Sequence, residues 1–227
     1  MGILKVENLE KIYQDNGVPV HALKGIDLTI AKGDYLVIAG PSGSGKTTLL
    51  NLLGALDKPT KGKVFLNQED ITDKKKKELS EIRLKKLGFI FQSYNLIPVL
   101  TTIENIEFSM MLLGIPEIER REKAMKLMDE LGIKELADKR PNEMSGGQQQ
   151  RVAVARAIVN DPEIVLADEP TANLDSKTGS NLLDLMEQMN SEKNITFVFS
   201  SHDLQVINRA KRLLLLKDGL IESDENK

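Results

Sequence analysis

The sequence contains no cysteine and no tryptophan, and it has two histidines among its 227 residues. Without cysteine there is no disulfide framework and no thiolate metal site, and the absence fits a reducing compartment. No run approaches the ~18 apolar residues that a membrane-spanning helix requires. The start, MGILKVENLE, lacks the pattern of a secretory signal, and Val6 departs from the myristoylation pattern. These absences predict a soluble, cytoplasmic protein.

A strong excess of charge is also absent, since the formal net charge is −3. Bulk electrostatics therefore gives no attraction to nucleic acid or acidic lipid. The one basic run, DKKKKELSEIRLKKLG, is interleaved with Glu78 and Glu81, which favours a solvated helix face over a nucleic-acid patch. We expect no nucleic-acid partner. The length suffices for one well-buried core with a small subdomain.

Glycine is concentrated in the segment GPSGSGKTTLL at 40–50. Such density indicates a backbone that approaches a ligand closely, and the spacing G-x-x-x-x-G-K-T is that of a P-loop. An apolar run at 35–39 predicts a strand before the segment, and leucines on one face predict a helix at 47–53. The alternative is an ordinary Gly/Ser-rich turn, which this strand-and-helix context disfavours.

The P-loop predicts how a nucleoside triphosphate is held. Backbone N–H groups at 42–48 would surround the phosphate oxygens at the positive end of the helix. Lys46 would place its charge on the β- and γ-phosphates, and the Thr47 hydroxyl would ligate Mg²⁺. The predicted nucleotide-binding residues of this segment are Gly40, Pro41, Ser42, Gly43, Ser44, Gly45, Lys46, Thr47 and Thr48.

Strand and helix patterns alternate along much of the chain. Strand patterns near the N-terminus give way to helical patterns at 101–139, and from 145 onward helices and strands alternate again. This alternation predicts a parallel sheet with both faces covered. A methionine series at helical spacing is interpreted as packing rather than as a cofactor site. Its members are Met110, Met111, Met125 and Met128.

Polar residues follow three apolar runs, at the points where the predicted strands end. Asp168 and Glu169 end EIVLADE, His202 follows ITFVFSS, and Gln92 follows GFIF. The carboxyl ends of parallel strands meet at one edge of a sheet, where the P-loop also lies. There Asp168 would hold Mg²⁺, and Glu169 would accept a proton from the attacking water. Gln92 would reach the metal or the water, and His202 would hydrogen-bond the γ-phosphate.

Structural alternatives exist for these residues. Two acids before a proline can cap a helix, and a lone histidine is usually structural. The proximity of a P-loop and the strand-end positions favour the functional interpretation. His21 has no such context, and we assign it to a loop with a structural role.

The segment MSGGQQQRVAVARAI contains a second predicted anion-binding device. Ser145 would cap a helix, and Gly146 and Gly147 would leave its first N–H groups open. One chain rarely needs two unrelated phosphate cradles. A head-to-tail pair of chains would use both cradles on the same γ-phosphate from opposite sides.

Taken in order, the motifs of the whole chain resemble those of the ATP-binding subunit of an ABC transporter. The resemblance implies an α/β fold with a RecA-like P-loop NTPase core built on a parallel sheet. An antiparallel β subdomain at the N-terminus and an inserted α-helical subdomain would complete a single ABC ATPase domain, 1–227. The resemblance divides the chain into a nucleotide-binding core at 1–91 and 150–227 and a helical subdomain at 92–149. It also implies ATP and Mg²⁺ as cofactors.

The resemblance assigns further roles. Tyr13 matches the aromatic residue that stacks on adenine, Asp175 lies in the D-loop ANLD, and Met144 stands where the family usually has leucine. The catalytic residues that it implies are Lys46, Gln92, Glu169 and His202. Those that touch the nucleotide beyond the P-loop are Tyr13, Ser145, Gly146, Gly147, Gln148 and Asp175. Those near the metal are Thr47, Gln92 and Asp168.

Three longer segments are similar to one branch of the family, namely VHALKGIDLTI, GFIFQSYNLIPVLTTIENIE and VLADEPTANLD. That branch works with lipoprotein-releasing, macrolide-export and cell-division permeases. It implies integral-membrane permease subunits and a second ATP-binding subunit as partners, most simply a homodimer at the inner face of the cell membrane. The alternative is a soluble ABC-type ATPase acting on DNA or ribosomes. Such proteins usually carry a coiled-coil insertion or two tandem cassettes, and this chain has neither.

Apolar residues are unusually frequent directly after Gln92, where Pro98 interrupts regular structure. They are Tyr94, Leu96, Ile97, Val99 and Leu100. Either they pack beneath the next helix, or they form a groove that receives a short cytoplasmic helix of the permease, as the resemblance implies.

Overall fold

The structure is a computed structural model and describes residues 2–15 and 17–227. The strands are β1 (Gly2–Asp15), β2 (Val18–Ala31), β3 (Tyr35–Ala39), β4 (Lys61–Leu66), β5 (Glu69–Asp70), β6 (Leu87–Ile90), β7 (Ile164–Asp168), β8 (Thr196–Ser201), β9 (Arg212–Lys217) and β10 (Leu220–Asn226). The helices are α1 (Lys46–Leu53), α2 (Lys76–Lys86), α3 (Thr102–Leu112), α4 (Glu117–Glu130), α5 (Gly146–Ile158), α6 (Ser176–Lys193) and α7 (Leu204–Asn208). Two short 3₁₀ helices lie at Lys134–Leu136 and Pro141–Glu143.

Two sheets organise these elements. A six-stranded sheet has the order β10-β9-β3-β8-β7-β6, and a four-stranded sheet has the order β2-β1-β4-β5. In the larger sheet all neighbouring pairs are parallel except β9 and β10, whereas the smaller sheet is antiparallel throughout. The predicted parallel core and antiparallel N-terminal sheet are both confirmed.

The larger sheet is buried on both faces, and β3 shows why its sequence is almost wholly apolar. Tyr35 and Val37 face a core that includes α3, α4, α5 and α6, while Leu36 and Ile38 face a core that includes α1 and the smaller sheet. All five β3 residues are buried. Each large apolar side chain buried in this way contributes roughly 1.5–3 kcal/mol. Because both faces are covered, functional groups emerge at the sheet edges.

The helical segment between β6 and β7 contains α3 and α4. Thr101 caps α3 by accepting from the Glu104 backbone N–H, and the Glu104 carboxylate accepts from the Thr101 N–H in return. Met110 and Met128 are buried in the core, as predicted for packing residues. Met111 is 47% exposed, so the packing prediction is wrong for this residue, which lies on the outer face of α3.

The N-terminal hairpin extends further than its hydrophobic pattern predicts. β2 begins at Val18, so His21 lies in a strand paired with Ile12 rather than in a loop. This first part of β2 is exposed, so burial does not stabilise it. Its backbone pairing with β1 does. Within residues 2–15 and 17–227, none of the helices combines the length and the apolar character of a membrane span.

Candidate nucleotide-binding site

The P-loop joins β3 to α1 and requires glycine at two close approaches. Gly45 is the N-cap of α1 with a φ of 104°, and a Cβ there would lie 2.6 Å from the Ala22 carbonyl oxygen. A Cβ on Gly40 would lie 2.0 Å from the Leu216 carbonyl oxygen. Glycine therefore lets the loop press against β2 and β9. Among the described residues no side chain caps the N-terminus of α1, so its first N–H groups are open to an anionic ligand.

Lys46 is buried in this loop, with 8% of its surface exposed. Its ammonium group donates to the carbonyl oxygens of Gly40 at 2.8 Å and Pro41 at 3.0 Å. These bonds provide no counter-charge, and a buried cation is costly until an anion pairs with it. The nearby Ser44 hydroxyl is also buried and has no hydrogen-bond partner among the described residues. The residues present therefore fit a triphosphate.

Tyr13 lies on β1 beside the P-loop helix. Its hydroxyl donates to Asp57 Oδ2 at 2.9 Å, and the Lys11 ammonium lies 4.8 Å from the ring centroid. Burial and the hydrogen bond to Asp57 raise the pKa of Tyr13, while a hydrogen bond with Thr48 opposes that shift. The phenol is thus neutral and held in place with 38% of the residue exposed, which leaves ring surface for stacking.

Thr47 and Asp168 meet where α1 approaches the end of β7. Thr47 Oγ1 donates to Asp168 Oδ1 at 3.1 Å, and Ser200 Oγ donates to the same oxygen at 2.6 Å. The described residues contain no group of three or more metal-ligating His, Cys, Asp or Glu side chains. Nucleotide-bound Mg²⁺ does not need one, because it takes one or two protein oxygens and completes its shell with phosphate and water. Thr47 and Asp168 fit that role.

Glu169 follows β7 directly and is held from several directions. Its φ is +46°, and its backbone N–H donates to the Ser200 carbonyl at 2.9 Å. Ser201 Oγ donates to Glu169 Oε2 at 3.0 Å, and His202 Nδ1 lies 2.6 Å from Glu169 Oε1. The Glu169 side chain is 14% exposed and that of His202 is 71% exposed. A left-handed backbone at a glutamate is strained and persists because its surroundings fix it.

Gln92 lies on the surface after β6, and the backbone around it is fixed by neighbours that sequence analysis missed. Asn173 Nδ2 donates to the Gln92 carbonyl at 2.8 Å. Tyr94 and Asn95 both have positive φ values, and the Arg156 guanidinium donates to both of their carbonyl oxygens. Burial lowers the pKa of Arg156, and these two carbonyls help to satisfy its donors.

The chain beyond this point is organised by one buried side chain, Asn105 of α3. Its Oδ1 accepts from the Ile97 N–H at 2.7 Å. Its Nδ2 lies within bonding distance of the carbonyl oxygens of Ile97 (3.2 Å), Leu100 (3.2 Å) and Thr101 (2.9 Å). Leu96 packs against the main core, whereas Val99 is 74% exposed. The apolar residues after Gln92 are thus divided between packing and exposure.

Ser145 caps α5 as predicted, accepting from the Gln148 backbone N–H at 3.3 Å, while Gln148 Oε1 accepts from the Ser145 N–H. A Cβ on Gly146 would lie 2.7 Å from Tyr94 Oη, and one on Gly147 would lie 2.4 Å from Thr178 Cγ2. Among the described residues, no hydrogen bond joins 145–148 to the P-loop. Within the described part of the chain, the two predicted anion-binding segments therefore have no direct hydrogen bond between them.

Asp175 is the N-cap of α6, and its carboxylate accepts from the backbone N–H groups of Lys177 at 3.1 Å and Thr178 at 3.0 Å. Hydrogen bonds to Thr178 are the main cause that lowers the pKa of Asp175.

A separate cavity of about 590 Å³ lies at the amino edge of the parallel sheet, where Lys32, Glu163 and Lys193 contribute to its walls. It contains none of the predicted site residues.

Comparisons with known proteins agree with this geometry. The family model described as ABC transporter matches residues 23–172. The chain is 43% identical to the lipoprotein-releasing system ATP-binding protein LolD of Legionella pneumophila, covering 98% of both chains. It is 43% identical to the macrolide export ATP-binding/permease protein MacB of Hyphomonas neptunium, covering 98% of this chain and 34% of that protein.

Among solved structures, the fold is similar to the ATP-binding cassette MJ0796 of Methanocaldococcus jannaschii, determined as a dimer in a post-hydrolysis state with ADP and Pi. The TM-score is 0.91 at 42% identity, and 98% of each chain is covered. The chain belongs to the ABC transporter family and is an ATPase of the ABC type. The family resemblance and the fold predicted from sequence are confirmed.

Proposed function

We propose that this chain hydrolyses Mg²⁺-bound ATP with Glu169 as the general base and, as a head-to-tail dimer, drives a membrane permease of the lipoprotein-release or macrolide-export type. One observation carries the catalytic part. The Glu169 carboxylate is bound by Ser201 and His202, and Glu169 directly follows Asp168, which is bonded to Thr47. A carboxylate beside the γ-phosphate can accept a proton from the attacking water.

The other site residues have roles that follow from their positions. Lys46 and the open N–H groups of the P-loop bind the triphosphate, and Tyr13 stacks on the adenine. Thr47 and Asp168 would hold Mg²⁺, with the Gln92 amide as a further candidate ligand, and the ion would supply neutralisation of the phosphate charge. His202 orients the Glu169 carboxylate and reaches towards the γ-phosphate.

The dimer part rests on the separation of the two anion-binding devices. Among the described residues no hydrogen bond joins the N-terminus of α5 to the P-loop of its own chain, and a second copy would bring a nucleotide to it. MJ0796, a similar cassette, has been determined as a dimer. In the assembled site Ser145, Gly146, Gly147 and Gln148 face the γ-phosphate of the partner, and Asp175 lies at the interface.

Glu169→Gln tests the catalytic assignment. We expect ATP binding to be retained and turnover to fall by about 10²-fold or more, since the amide cannot accept the proton. The variant should accumulate an ATP-bound dimer, visible by size-exclusion chromatography. Glu163→Gln is the matched control, because Glu163 lies just before the opposite end of β7. Near-normal hydrolysis by Glu169→Gln removes Glu169 from this role.

A groove of about 570 Å³ between α2, β6, α3 and α5 is the docking site that we propose for the permease. Its apolar lining includes Leu56, Leu84, Phe89, Phe91 and Leu112. Asn95 lines the groove and lies three residues after Gln92. A movement of Gln92 on loss of the γ-phosphate would therefore be passed to the groove through this short segment. A short amphipathic helix is the element that such a groove accommodates.

Leu112→Arg tests the docking site. Leu112 is 58% exposed and lines the groove, so a charge there should spare folding and basal ATPase activity. We expect loss of co-purification with the permease subunits of neighbouring reading frames, and loss of any stimulation by them. Ile118→Arg is the control, because Ile118 is 77% exposed on α4 and does not line this groove. Normal coupling in Leu112→Arg places the docking surface elsewhere.

The permease assignment brings two further proposals. The protein would be cytoplasmic and peripheral at the inner face of the cell membrane. Residues 92–149 would move as a helical subdomain against the core at 1–91 and 150–227. The alternative, a soluble ABC-type ATPase acting on DNA or ribosomes, predicts ATPase stimulation by nucleic acid and no co-purifying membrane protein.

A further inference from the structure

Gln150 is a fully buried amide on α5, with none of its surface exposed. Its Nε2 donates to the carbonyl oxygen of Pro170 at 2.8 Å. Its Oε1 is equally buried and has no hydrogen-bond partner among the described residues. The side chain therefore makes one bond, to the residue that directly follows Glu169.

Pro170 belongs to the tight turn that leaves β7. The Glu169 carbonyl accepts from the Ala172 N–H at 3.2 Å within this turn. Pro170 has no N–H of its own, and its carbonyl is fixed by Gln150. From the opposite side, β8 holds Glu169 through Ser200 and Ser201. The strained backbone at Glu169 is thus held by hydrogen bonds from β8 on one side and, through Pro170, from α5 on the other.

Packing does not explain an amide at this position. An unpaired buried acceptor costs stability, and an apolar side chain of similar volume would fill the space without one. The bond to Pro170 is what an apolar side chain could not make. Ser145 is the N-cap of the same helix, so this bond joins the N-terminal part of α5 to the backbone directly after Glu169.

We infer that Gln150 is a positioning residue that fixes the backbone of Glu169 through the Pro170 carbonyl. This inference rests on the proposed role of Glu169 as general base. Gln150 makes no contact with the reacting atoms and acts through the turn. It gives α5, whose N-terminus faces the partner's nucleotide, a direct mechanical connection to the base of its own chain.

Gln150→Met is the test, since methionine has a similar volume and no donor. We expect kcat to fall by about 10- to 100-fold, which is the range that a small misplacement of a catalytic group produces. The KM for ATP and the ATP-induced dimer should change by less than about twofold, because the P-loop and the Ser145 cap are untouched. Partial unfolding also lowers the apparent kcat at unchanged KM, so kcat is calculated per folded chain, with the folded fraction measured by circular dichroism.

Asn190→Leu is the matched control. Asn190 is a buried amide that also donates to backbone carbonyls, those of Gly33 and Ile195, but at the amino edge of the sheet. Its replacement should lower the melting temperature and leave the kcat of the folded fraction unchanged. If Gln150→Met fails to accumulate as folded protein, Gln150→Leu is measured in its place with the same expectations.

A double-mutant cycle with Glu169→Gln decides the mechanism. If Gln150 acts through Glu169, adding Gln150→Met to Glu169→Gln should not slow the residual turnover further. An equal slowing in both backgrounds overturns the inference, and so does a Gln150→Met enzyme with kcat within twofold of the parent. The proposed function fails separately, when Glu169→Gln itself retains near-normal hydrolysis.

Discussion

The helices α1 and α5 both begin with glycine-rich segments, yet their N-termini are built in opposite ways. At α1 no side chain caps the helix, and the buried Lys46 ammonium is bonded to carbonyl oxygens. At α5 Ser145 and Gln148 form a reciprocal capping box, and Ser145 is exposed. One end thus combines uncapped N–H groups with a buried positive charge. At the other end the capping box pairs the Ser145 and Gln148 N–H groups within the chain.

This difference indicates how each end meets a phosphate. The α1 end has uncapped N–H groups and a buried ammonium group, so it can bind a nucleotide in the single chain. The α5 end has no such deficit and would gain a ligand when another surface carries one to it. Nucleotide binding and dimer closure are therefore expected to be separable by mutation.

Lys46→Ala should give the largest effect of these variants, a loss of ATP affinity at the N-terminus of α1. Removing the charge that pairs with the phosphates should weaken ATP affinity by about 10²- to 10³-fold, the usual consequence of breaking a buried ion pair. Equilibrium titration with a fluorescent ATP analogue measures it. Lys177→Ala, at an exposed lysine of α6, is the control. An affinity within threefold of the parent contradicts the cradle.

Ser145→Arg should impair only the function that we propose for the α5 N-terminus, which is dimer closure. ATP binding to the monomer should be unchanged, while dimer closure and turnover are lost by about tenfold or more, because a bulky cation replaces a small cap at the interface. Mixing Ser145→Arg with Lys46→Ala chains leaves one intact composite site, so part of the ATP-dependent dimer should return on size-exclusion chromatography. A complete lack of recovery favours a site within one chain.

Gly147→Ala tests how tightly the α5 end is packed. A Cβ at Gly147 would lie 2.4 Å from the Thr178 methyl group, so α5 and α6 must separate slightly. We expect a severalfold loss of turnover with ATP affinity unchanged. Thr178→Ser removes the methyl group and should restore part of the loss. If the double variant is as impaired as Gly147→Ala, the contact is not the cause.

Asp175→Ala should give the smallest effect and adds a third helix N-terminus to the comparison. Because hydrogen bonding lowers the pKa of Asp175 in the folded state, its capping contribution is present above the unfolded pKa. That contribution is lost as the pH falls through the folded pKa. The variant should melt below the parent at neutral pH, and the gap should shrink on acidification. A gap that does not depend on pH excludes the ionised cap as its source.

Much of the site could be predicted because its signals are local. The P-loop spacing and the polar residues after apolar runs need only the rule that parallel strands end at a common edge. The partners of those residues depend on register instead. Asp168 lies opposite Ser200 across β7 and β8, and one step further Ser201 reaches Glu169. Two serines at the end of β8 were the available signal.

Features fixed by tertiary contacts were beyond a single sequence. His21 lies in a strand because β1 pairs with it, although Val18 and Val20 beside it are exposed. Met111 has helical spacing but falls on the outer face of α3. The approach of Tyr94 to Gly146 joins positions far apart in the chain, and no local pattern encodes it.

The hydrogen bonds of Asn105 have a thermodynamic consequence for any helix that binds nearby. They hold the backbone from Ile97 to Thr101, so this segment has already lost its conformational freedom when the chain folds. A binding partner does not have to order it, and more of the contact energy appears as affinity. One buried amide thus transfers an entropic cost from association to folding.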